Sequence, residues 1–272
     1  MARLARPAAG RLDGRVAIVT GGARGIGRHY SQALAAQGAR VMIADIADGR
    51  PLADELNAAH GAGHSPGERD AGGIAASVTF DVSDEAAVRA LVETTLARFG
   101  QIDILINNAA LYSSLPPVKA TEIEVALWDK VMAVNVRGPF LMVKHVVPHM
   151  IARKSGKIVN IASGTAYKGL PNFLHYVTSK GAMVSFTRAL ARELGPHNIT
   201  VNTLAPGLIL SDTGLENTAH LEDARDKVLA SRALRRDGFP EDLTGALVFL
   251  ASAESDFMTG QTLAIDGGSI NT

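Results

Sequence analysis

The chain of 272 residues carries 27 basic and 27 acidic side chains, so a formal net charge of zero gives no general electrostatic reason to bind nucleic acid or an anionic membrane. It contains no cysteine, which excludes disulfides, thiolate metal sites and cysteine nucleophiles and fits a reducing compartment such as the cytoplasm. No run of about 18 apolar residues occurs, so we expect no membrane-spanning segment.

Residues 1–12 are predicted to form a flexible amino-terminal arm. They include Arg3, Arg6 and Arg11 but no continuous apolar stretch, so we do not expect a secretory signal. Residues 13–272 are predicted to form a single domain. One repeating pattern continues almost to the last residue, which favours one domain over the two that the length alone would suggest.

Short apolar segments alternate with helical patterns from residue 15 onward. The apolar segments predict seven strands, at 15–20, 40–45, 75–82, 102–109, 157–163, 198–207 and 261–268. Helical patterns cover 28–39, 84–100, 126–156, 173–195 and 243–252. Continuous apolar strands alternating with helices indicate a parallel sheet covered on both faces. The predicted fold is therefore α/β, a doubly wound, Rossmann-like parallel sheet of seven strands with helices on both faces.

Two segments interrupt this alternation. Residues 60–75 are rich in glycine and histidine and are predicted to be a surface loop. Residues 208–238 follow the sixth strand, are polar and weakly helical, and are longer than a normal connection. Ligands of open α/β sheets bind at the carboxyl ends of the strands, so this second segment is a candidate substrate lid.

A glycine-rich sequence, TGGARGIG at 20–27, joins the first strand to the first helix. Gly21, Gly25 and Gly27 would allow a tight turn and close approach of the backbone to a phosphate, with Ile26 between the last two. The helix that follows would present free N–H groups to the anion. The spacing differs from the common G-x-G-x-x-G fingerprint, so the loop by itself is weak evidence for a dinucleotide.

Asp45 strengthens the dinucleotide interpretation. It ends the second strand, 18 residues after Gly27, where an acid can accept hydrogen bonds from an adenosine ribose. A carboxylate there would repel a 2′-phosphate, which favours NAD. Arg24 in the loop could instead hold that phosphate and favour NADP. Because Asp45 occupies the ribose position itself, we expect NAD to be preferred over NADP.

Tyr176 and Lys180 lie four residues apart and would share one face of a helix. Such pairs are common on helix surfaces, so the spacing alone says little. Ser163, however, stands at the carboxyl end of the fifth strand, and Asn135 lies in the preceding helix. All four could meet at the edge of the sheet where the glycine loop lies, which makes them candidate catalytic residues.

With this combination the sequence resembles the classical short-chain dehydrogenase/reductase family over roughly residues 12–270. The matching positions are TGGARGIG at 20–27, Asp81, NNAA at 107–110, Asn135, Ser163, Tyr176, Lys180 and the Pro206–Gly207 pair. Three positions depart from the usual pattern. Ala110 and Gly181 replace a usual glycine and alanine, and Ser211 stands where a threonine often contacts the nicotinamide carboxamide.

The resemblance implies an NAD-dependent enzyme that interconverts a secondary alcohol and a ketone. Tyr176 would be the general base in oxidation and the general acid in reduction, and Ser163 would bind the substrate oxygen. Lys180 would hold the nicotinamide ribose and lower the tyrosine pKa, and Asn135 would anchor a proton-relay water. Lowering a phenol pKa from about 10 to about 7 requires about 4 kcal/mol, which one ammonium about 4 Å away can supply at an effective dielectric of about 20.

The resemblance also implies a cofactor site and an assembly. Asn107 and Ala109 would help line the cofactor site, and Asp81 would lie beside the adenine. The implied cofactor site further includes Gly21, Arg24, Gly25, Ile26, Gly27, Asp45, Val82, Tyr176, Lys180, Pro206, Gly207, Ile209 and Ser211. The family resemblance implies a homotetramer acting on a small-molecule alcohol or ketone, with no nucleic-acid partner, no membrane partner and no metal.

Several alternatives stay open. Serine hydrolysis would use Ser163, but the G-x-S-x-G elbow is missing and His175 has no evident acid partner. His145 and His149 have a spacing that could bind a metal, but the glutamate of H-E-x-x-H is missing. The basic cluster at 232–236 is predicted to be a solvated face of the lid. An epimerase or dehydratase that uses NAD internally, or a non-catalytic NAD-binding regulator, would keep the same fold.

The substrate is the least determined feature. The residues expected to line its pocket are Leu111, Tyr112, Leu170, Phe173, Leu208 and Leu210. Most are apolar, and only Lys168 is a candidate to bind an anionic group. The sequence therefore favours a medium-sized, mainly apolar secondary alcohol or its ketone.

Overall fold

The computed structural model describes residues 10–60, 73–212 and 218–270. Within these ranges seven strands form one parallel sheet, in the order β3-β2-β1-β4-β5-β6-β7. The strands are β1 (Val16–Thr20), β2 (Arg40–Asp45), β3 (Ala75–Thr79), β4 (Ile104–Asn107), β5 (Gly156–Ile161), β6 (Ile199–Pro206) and β7 (Thr262–Ile265). The predicted fold class is confirmed.

The helices cover both faces of the sheet. They are α1 (Gly25–Ala36), α2 (Arg50–His60), α3 (Glu85–Phe99), α4 (Val125–Met132), α5 (Gly138–Arg153), α6 (Thr165–Lys168), α7 (Leu174–Leu194), α8 (Thr218–Ser231) and α9 (Glu241–Ala251). A π-helical turn, Ala133–Arg137, joins α4 to α5. Short 3₁₀ turns lie at Ala120–Glu122, Gly195–His197 and Ala253–Ser255. No described helix is both long enough and apolar enough to cross a membrane.

The alternation of side chains along β1 divides the core between the two faces. Ala17 and Val19 point into one apolar cluster, which includes residues of α1 and α9. Val16 and Ile18 point into the other, which includes residues of α3 and α5. Both sides of a parallel strand are therefore buried, which explains why the strands appear in the sequence as continuous apolar runs.

The chain order reverses between β1 and β4. Val19 pairs with Ile43 of β2 on one side and with Ile106 of β4 on the other. The connections after β1 and β4 therefore run to opposite sides and leave a crevice between them at the carboxyl edge. In open α/β sheets this is the position of the ligand site.

Several predicted boundaries differ from the structure. The strands predicted at 75–82 and 102–109 end earlier, at Thr79 and Asn107, because the chain leaves the sheet at the carboxyl edge to line the crevice. Leu12, which the prediction placed in the flexible arm, is instead buried, and its N–H bonds to Gln37 O at 2.9 Å. Residues 1–9, most of the loop predicted at 60–75 and residues 213–217 of the predicted lid lie outside the described residues.

Candidate active site

A cleft of about 420 Å³ opens at the carboxyl edge of the sheet, where the chain order reverses. It is lined by the glycine loop, by the ends of β2 to β6 and by the first turns of α7. Of the predicted site residues, those that line it are Gly21, Arg24, Gly25, Ile26, Gly27, Asp45, Asp81, Val82, Ala109, Ser163, Tyr176, Lys180, Pro206, Gly207, Ile209 and Ser211. Asn107 and Asn135 lie behind this lining.

The glycine loop has the backbone geometry that a phosphate site needs. Gly21 and Gly25 adopt left-handed conformations, with φ of 60° and 58°. A Cβ on Gly27 would overlap the carbonyl oxygen of Gly21, so only glycine allows the loop to close onto α1. Helix α1 has no side-chain cap and no acidic residue in its first turn, so its first N–H groups are not capped by a side chain. These features fit the pyrophosphate of a dinucleotide.

Asn108 fixes the glycine loop to the end of β4. Its Nδ2 donates to the carbonyl oxygens of Thr20 and Gly21 at 2.9 and 3.0 Å. The backbone N–H groups of Asn108 and Ala109 both donate to Thr20 Oγ1 at 3.0 Å. Asn108 is not among the predicted site residues, although it belongs to the NNAA motif and follows Asn107 directly.

Asn107 is buried beneath the cleft. Its Nδ2 donates to Asn160 Oδ1 on the neighbouring strand at 2.8 Å, and Asn160 Nδ2 donates to Thr187 Oγ1 on α7. Among the described residues, Asn107 Oδ1 has no hydrogen-bond partner although it is fully buried. Asn107 therefore supports the cleft from below and ties β4 to β5.

Asp45 lies at the end of β2, buried at the edge of the cleft. Its carboxylate accepts backbone N–H groups from Ala23 of the glycine loop at 2.9 Å and from Ala47 at 3.0 Å. Each carboxylate oxygen keeps lone pairs for a further donor. The residue that follows, Ile46, is apolar and 67% exposed, while Arg24 is exposed on the loop. Asp45 thus anchors the loop and presents negative charge where an adenosine ribose would lie.

The wall formed after β3 contains Asp81 and Val82. Asp81 is exposed, and its Oδ1 accepts both the N–H and the hydroxyl of Ser83, at 2.8 and 2.7 Å. Val82 is buried against Gly138, where a Cβ would come within 2.8 Å of its Cγ1. The apolar Val82 and the polar Asp81 together make a wall suited to a heterocyclic base.

Ser163, Tyr176 and Lys180 meet at the inner end of the cleft. Ser163 follows β5, and its side chain forms a hydrogen bond with Tyr176 that favours the ionised phenol. Lys180 lies one turn after Tyr176 on α7, with its Nζ 5.8 Å from the centroid of the tyrosine ring. Lys180 is buried, and its Nζ donates to the carbonyl oxygen of Ile161 at 2.8 Å.

The protein groups alone do not lower the pKa of Tyr176. Burial raises the pKa of the phenol, the neighbouring Tyr112 raises it further, and only the hydrogen bond with Ser163 lowers it. Burial also lowers the pKa of Lys180 to about 8. The predicted lowering of the tyrosine pKa by Lys180 is therefore not seen, because burial is the largest effect on this phenol and raises its pKa.

Tyr112 packs over Tyr176. Its ring centroid is 4.7 Å from that of Tyr176 with an interplanar angle of 35°. Phe173 lies 6.3 Å from Tyr112 and is fully buried. Of the residues predicted to line the substrate pocket, Tyr112, Leu111 and Leu208 line the cleft. Leu170 and Phe173 instead pack with Tyr176 in an apolar cluster, so the lining is less apolar than predicted.

Asn135 stands in the π-helical turn between α4 and α5. Its Oδ1 accepts the N–H of Leu111 at 2.8 Å, and its Nδ2 donates to Leu111 O at 3.2 Å and to Ser179 Oγ at 3.0 Å. The side chain therefore joins the segment after β4 to α7. Its predicted role of anchoring a water stays a prediction.

The segment after β6 is held to the lid by Arg232. This residue follows α8 and is buried, and its guanidinium donates to Leu208 O at 2.6 Å and to Arg236 O at 2.7 Å. Leu210 N also donates to Gly238 O at 2.8 Å, so the start and end of the predicted lid are joined. The prediction of a solvated basic face at 232–236 is therefore wrong for Arg232. Arg236 is exposed but pairs with Asp242.

The geometry gives no support to two of the alternatives. Among the described residues no group of three potential ligands is placed to hold a metal. His145 instead contacts Glu85 at 3.0 Å, and His149 is exposed. His175 Nδ1 accepts the N–H of Tyr176 at 2.9 Å, and no described hydrogen bond joins His175 to Ser163. The arrangement of a serine hydrolase is therefore missing.

Comparisons with known proteins agree with this geometry. The family described as enoyl-(acyl carrier protein) reductase matches residues 21–269. The chain is 38% identical to galactitol 2-dehydrogenase of Agrobacterium fabrum over 267 residues, covering 95% of this chain and 98% of that protein. It is 37% identical to sorbitol dehydrogenase of Cereibacter sphaeroides over 268 residues, with the same coverage of both chains.

A solved structure shares the fold. A short-chain dehydrogenase/reductase of Brucella melitensis, described as a glucose/ribitol dehydrogenase, superimposes with a TM-score of 0.81 and 30% identity. The match covers 97% of this chain and 99% of that one. The similarity therefore extends over the sheet, the cleft and the lid-bearing carboxyl-terminal part together.

Proposed function

This chain belongs to the short-chain dehydrogenase/reductase family, and from that premise we propose that it interconverts a secondary alcohol and a ketone with NAD as hydride carrier. The convergence of Ser163, Tyr176 and Lys180 on the cleft beside the glycine loop carries the proposal. Bound NAD would supply the carbon that accepts the hydride and, in its oxidised form, a positive charge beside the phenol. The enzyme is an oxidoreductase; the cofactor preference and the role of Tyr176 are our proposals.

Tyr176 is proposed to move the proton. Since burial keeps the phenol neutral, it is ready to donate to a ketone oxygen in the reductive direction. In the oxidative direction it must lose that proton, although burial, the largest effect on its pKa, opposes ionisation. We infer that the base form depends on Lys180 together with the second positive charge that an oxidised cofactor would bring.

Ser163 and Lys180 are proposed to position the reacting groups. The Ser163 hydroxyl receives hydrogen bonds from Thr165 N and Thr165 Oγ1, at 3.2 and 3.0 Å, which orients it in the cleft. It can then donate to the substrate oxygen that Tyr176 also contacts. Lys180, fixed by the carbonyl of Ile161, keeps two further N–H donors for the nicotinamide ribose.

NAD is proposed over NADP on electrostatic grounds. Asp45 brings a carboxylate to the ribose position, and Ile46 beside it brings no compensating cation. A 2′-phosphate there would face a like charge in a partly buried site, which is costly. Arg24 is exposed on the loop and is the one residue of the loop that could oppose this preference.

The substrate is proposed to be a small-molecule alcohol. Four residues that carry hydroxyl groups, Tyr112, Ser113, Ser163 and Thr165, line the cleft beside the apolar Leu111 and Leu208. This mixture suits an alcohol with polar substituents better than the mainly apolar one that the sequence favours. The homotetramer and the cytoplasmic location implied by the family stay predictions.

Substitution of Tyr176 by phenylalanine tests the proposal. Removing the proton donor is expected to lower kcat at least about 100-fold in both directions, while NAD binding measured by calorimetry stays within about twofold. Tyr167→Phe on α6 is the matched control, since it removes the same hydroxyl from an exposed tyrosine outside the cleft. NADH formation by Tyr176→Phe at the wild-type rate would refute the role.

The same assay separates the alternatives. A dehydrogenase forms NADH in proportion to the alcohol consumed. An epimerase or dehydratase that returns the hydride to its substrate would change the substrate without net NADH. A regulator would bind NAD and form neither product. Only the first result agrees with the proposed function.

A further inference from the structure

Tyr112 holds a hydroxyl group in the cleft that the proposed reaction does not use. Its ring packs on the ring of Tyr176, so the two phenols border the same space. Tyr112 also raises the pKa of Tyr176, as expected of two phenols that lie close together. A substrate whose reacting oxygen contacts Tyr176 can therefore also contact Tyr112.

The Tyr112 hydroxyl is a neutral hydrogen-bond donor. Burial raises the pKa of this phenol, so it keeps its proton at neutral pH. Among the described residues no side chain or backbone group forms a hydrogen bond with it. Because Tyr112 is half-buried and lines the cleft, its hydroxyl is open to a ligand that can accept the hydrogen bond.

Neighbouring residues hold the backbone and the ring of Tyr112 in place. The amide of Asn135 makes hydrogen bonds to both the N–H and the carbonyl of Leu111, the preceding residue. Leu115 N donates to Tyr112 O at 2.9 Å, which closes a turn on the other side. The ring rests on Tyr176 and Phe173. A donor held this firmly can discriminate between ligands, because little freedom is lost when the ligand binds.

We propose that Tyr112 is the specificity-determining residue, and that its hydroxyl binds a second oxygen on the carbon next to the reacting carbinol. The preferred substrates are then vicinal diols and polyols, and in the reverse direction α-hydroxy ketones. This inference rests on the proposed function of Tyr176. Ser113 and Thr165, which also line the cleft, extend the polar surface for further hydroxyl groups. A substrate with hydrogen at that carbon would lack this hydrogen bond and is therefore disfavoured.

The first test uses the unmodified protein and two alcohols of the same carbon frame. We measure NADH formation with cyclohexanol and with trans-cyclohexane-1,2-diol, and NADH consumption with the corresponding ketones. The expected kcat/KM is at least about tenfold higher for the diol, which corresponds to one satisfied hydrogen bond. Equal values for the two alcohols would overturn the assignment of Tyr112 and leave the dehydrogenase proposal standing. Turnover of none of the four compounds would count against both.

The second test removes the hydroxyl and keeps the ring. Tyr112→Phe is expected to lower the ratio of kcat/KM for the diol to that for cyclohexanol by about tenfold, mainly through a higher KM for the diol. Tyr167→Phe, the control outside the cleft, is expected to leave the ratio unchanged. A ratio that stays at the wild-type value in Tyr112→Phe, or an equal loss for both alcohols, would show that the ring only packs on Tyr176. If Tyr112→Phe does not fold, the comparison of alcohols in the unmodified protein decides the question.

Discussion

The environment of Tyr176 opposes the ionisation of its phenol. Burial raises its pKa, and Tyr112 adds to the effect. Burial also lowers the pKa of Lys180 to about 8. In the proposed mechanism the tyrosine therefore keeps its proton until an oxidised cofactor lies beside it, which would couple proton removal to the presence of the hydride acceptor.

The cofactor preference can be changed at Ile46. Replacing it by arginine puts a guanidinium at an exposed position beside Asp45, where it can pair with a 2′-phosphate. We expect Ile46→Arg to raise kcat/KM for NADP about tenfold relative to NAD. Ile46→Leu keeps the position apolar and is the matched control. Steady-state rates with both cofactors measure the ratio, and an unchanged ratio in Ile46→Arg would mean that the ribose does not lie at Asp45.

Which residues come together at the cleft was predictable, but their environment was not. Motif spacing located Tyr176, Lys180 and Ser163, because four residues make about one helical turn and β5 ends before Ser163. The stacking of Tyr112 on Tyr176 joins residues 64 positions apart, and no local pattern encodes such a contact. The burial that raises the tyrosine pKa depends on that same packing.

At the scale of elements, Arg232 connects the two ends of the segment that follows β6. The described parts of that segment are 208–212 and 218–238, and Arg232 bonds to main-chain carbonyls at Leu208 and Arg236. Its guanidinium is buried and lies close to Gly207, where a Cβ would come within 3.3 Å of Nη2. Arg232, near the carboxyl end of the predicted lid, therefore helps to position the stretch from Gly207 to Ser211, which lines the cleft.

Replacing Arg232 by methionine tests this connection. Methionine fills much of the same space but donates no hydrogen bond, so Leu208 and Arg236 each lose a charge-assisted bond. We expect the KM for NAD to rise about tenfold with a smaller change in kcat, because the segment belongs to the proposed cofactor site and not to the proposed catalytic residues. Arg235→Met, at an exposed neighbouring position, is the control and should behave as wild type. Equal effects of the two substitutions would contradict a positioning role.

Helix α2 was not predicted from the sequence, although local signals for it exist. Asp48 Oδ1 accepts the N–H of Arg50 at 3.0 Å, and Pro51 follows at the start of the helix. Leu52 and Leu56 then recur at helical spacing and join the core beside β3. The helix is short, and the glycine- and histidine-rich loop after it dominates the composition of the region. Helix α8, in the predicted lid, was predicted only as a weakly helical segment, because its sequence is polar.

At the scale of the molecule, the order of strands brings distant residues to one edge. Parallel strands all end on the same side of the sheet, so residues near 21, 45, 81, 109, 163 and 207 face one cleft. Only the alternation of strands and helices is needed to predict this, which is why the overall fold was predictable. The same order places the amino ends of the strands at the opposite edge.

Asp103 joins the elements at that opposite edge. It is 2% exposed and precedes β4; Oδ2 accepts Val16 N and Gln101 Nε2, both at 2.8 Å. Its Oδ1 accepts Arg153 Nη2 of α5 at 2.6 Å and Arg15 Nη1 at 3.4 Å. One carboxylate therefore links β1, β4 and α5. Both arginines are partly exposed, which moderates the energy of their pairing with the buried acid.

Replacing Asp103 by asparagine should therefore lower stability without touching the chemistry. The amide removes the charge that pairs with Arg153 and puts an N–H₂ group against donors that need an acceptor. We expect the free energy of unfolding to fall by about 2 kcal/mol, below the range for breaking a fully buried pair. Urea denaturation followed by circular dichroism measures the loss, with Glu254→Gln as the control, since it breaks only an exposed pair with Arg11. The KM for NAD should stay at its wild-type value, because the two edges of the sheet are separate. A variant as stable as the control would mean that the amino edge is held by its backbone bonds alone.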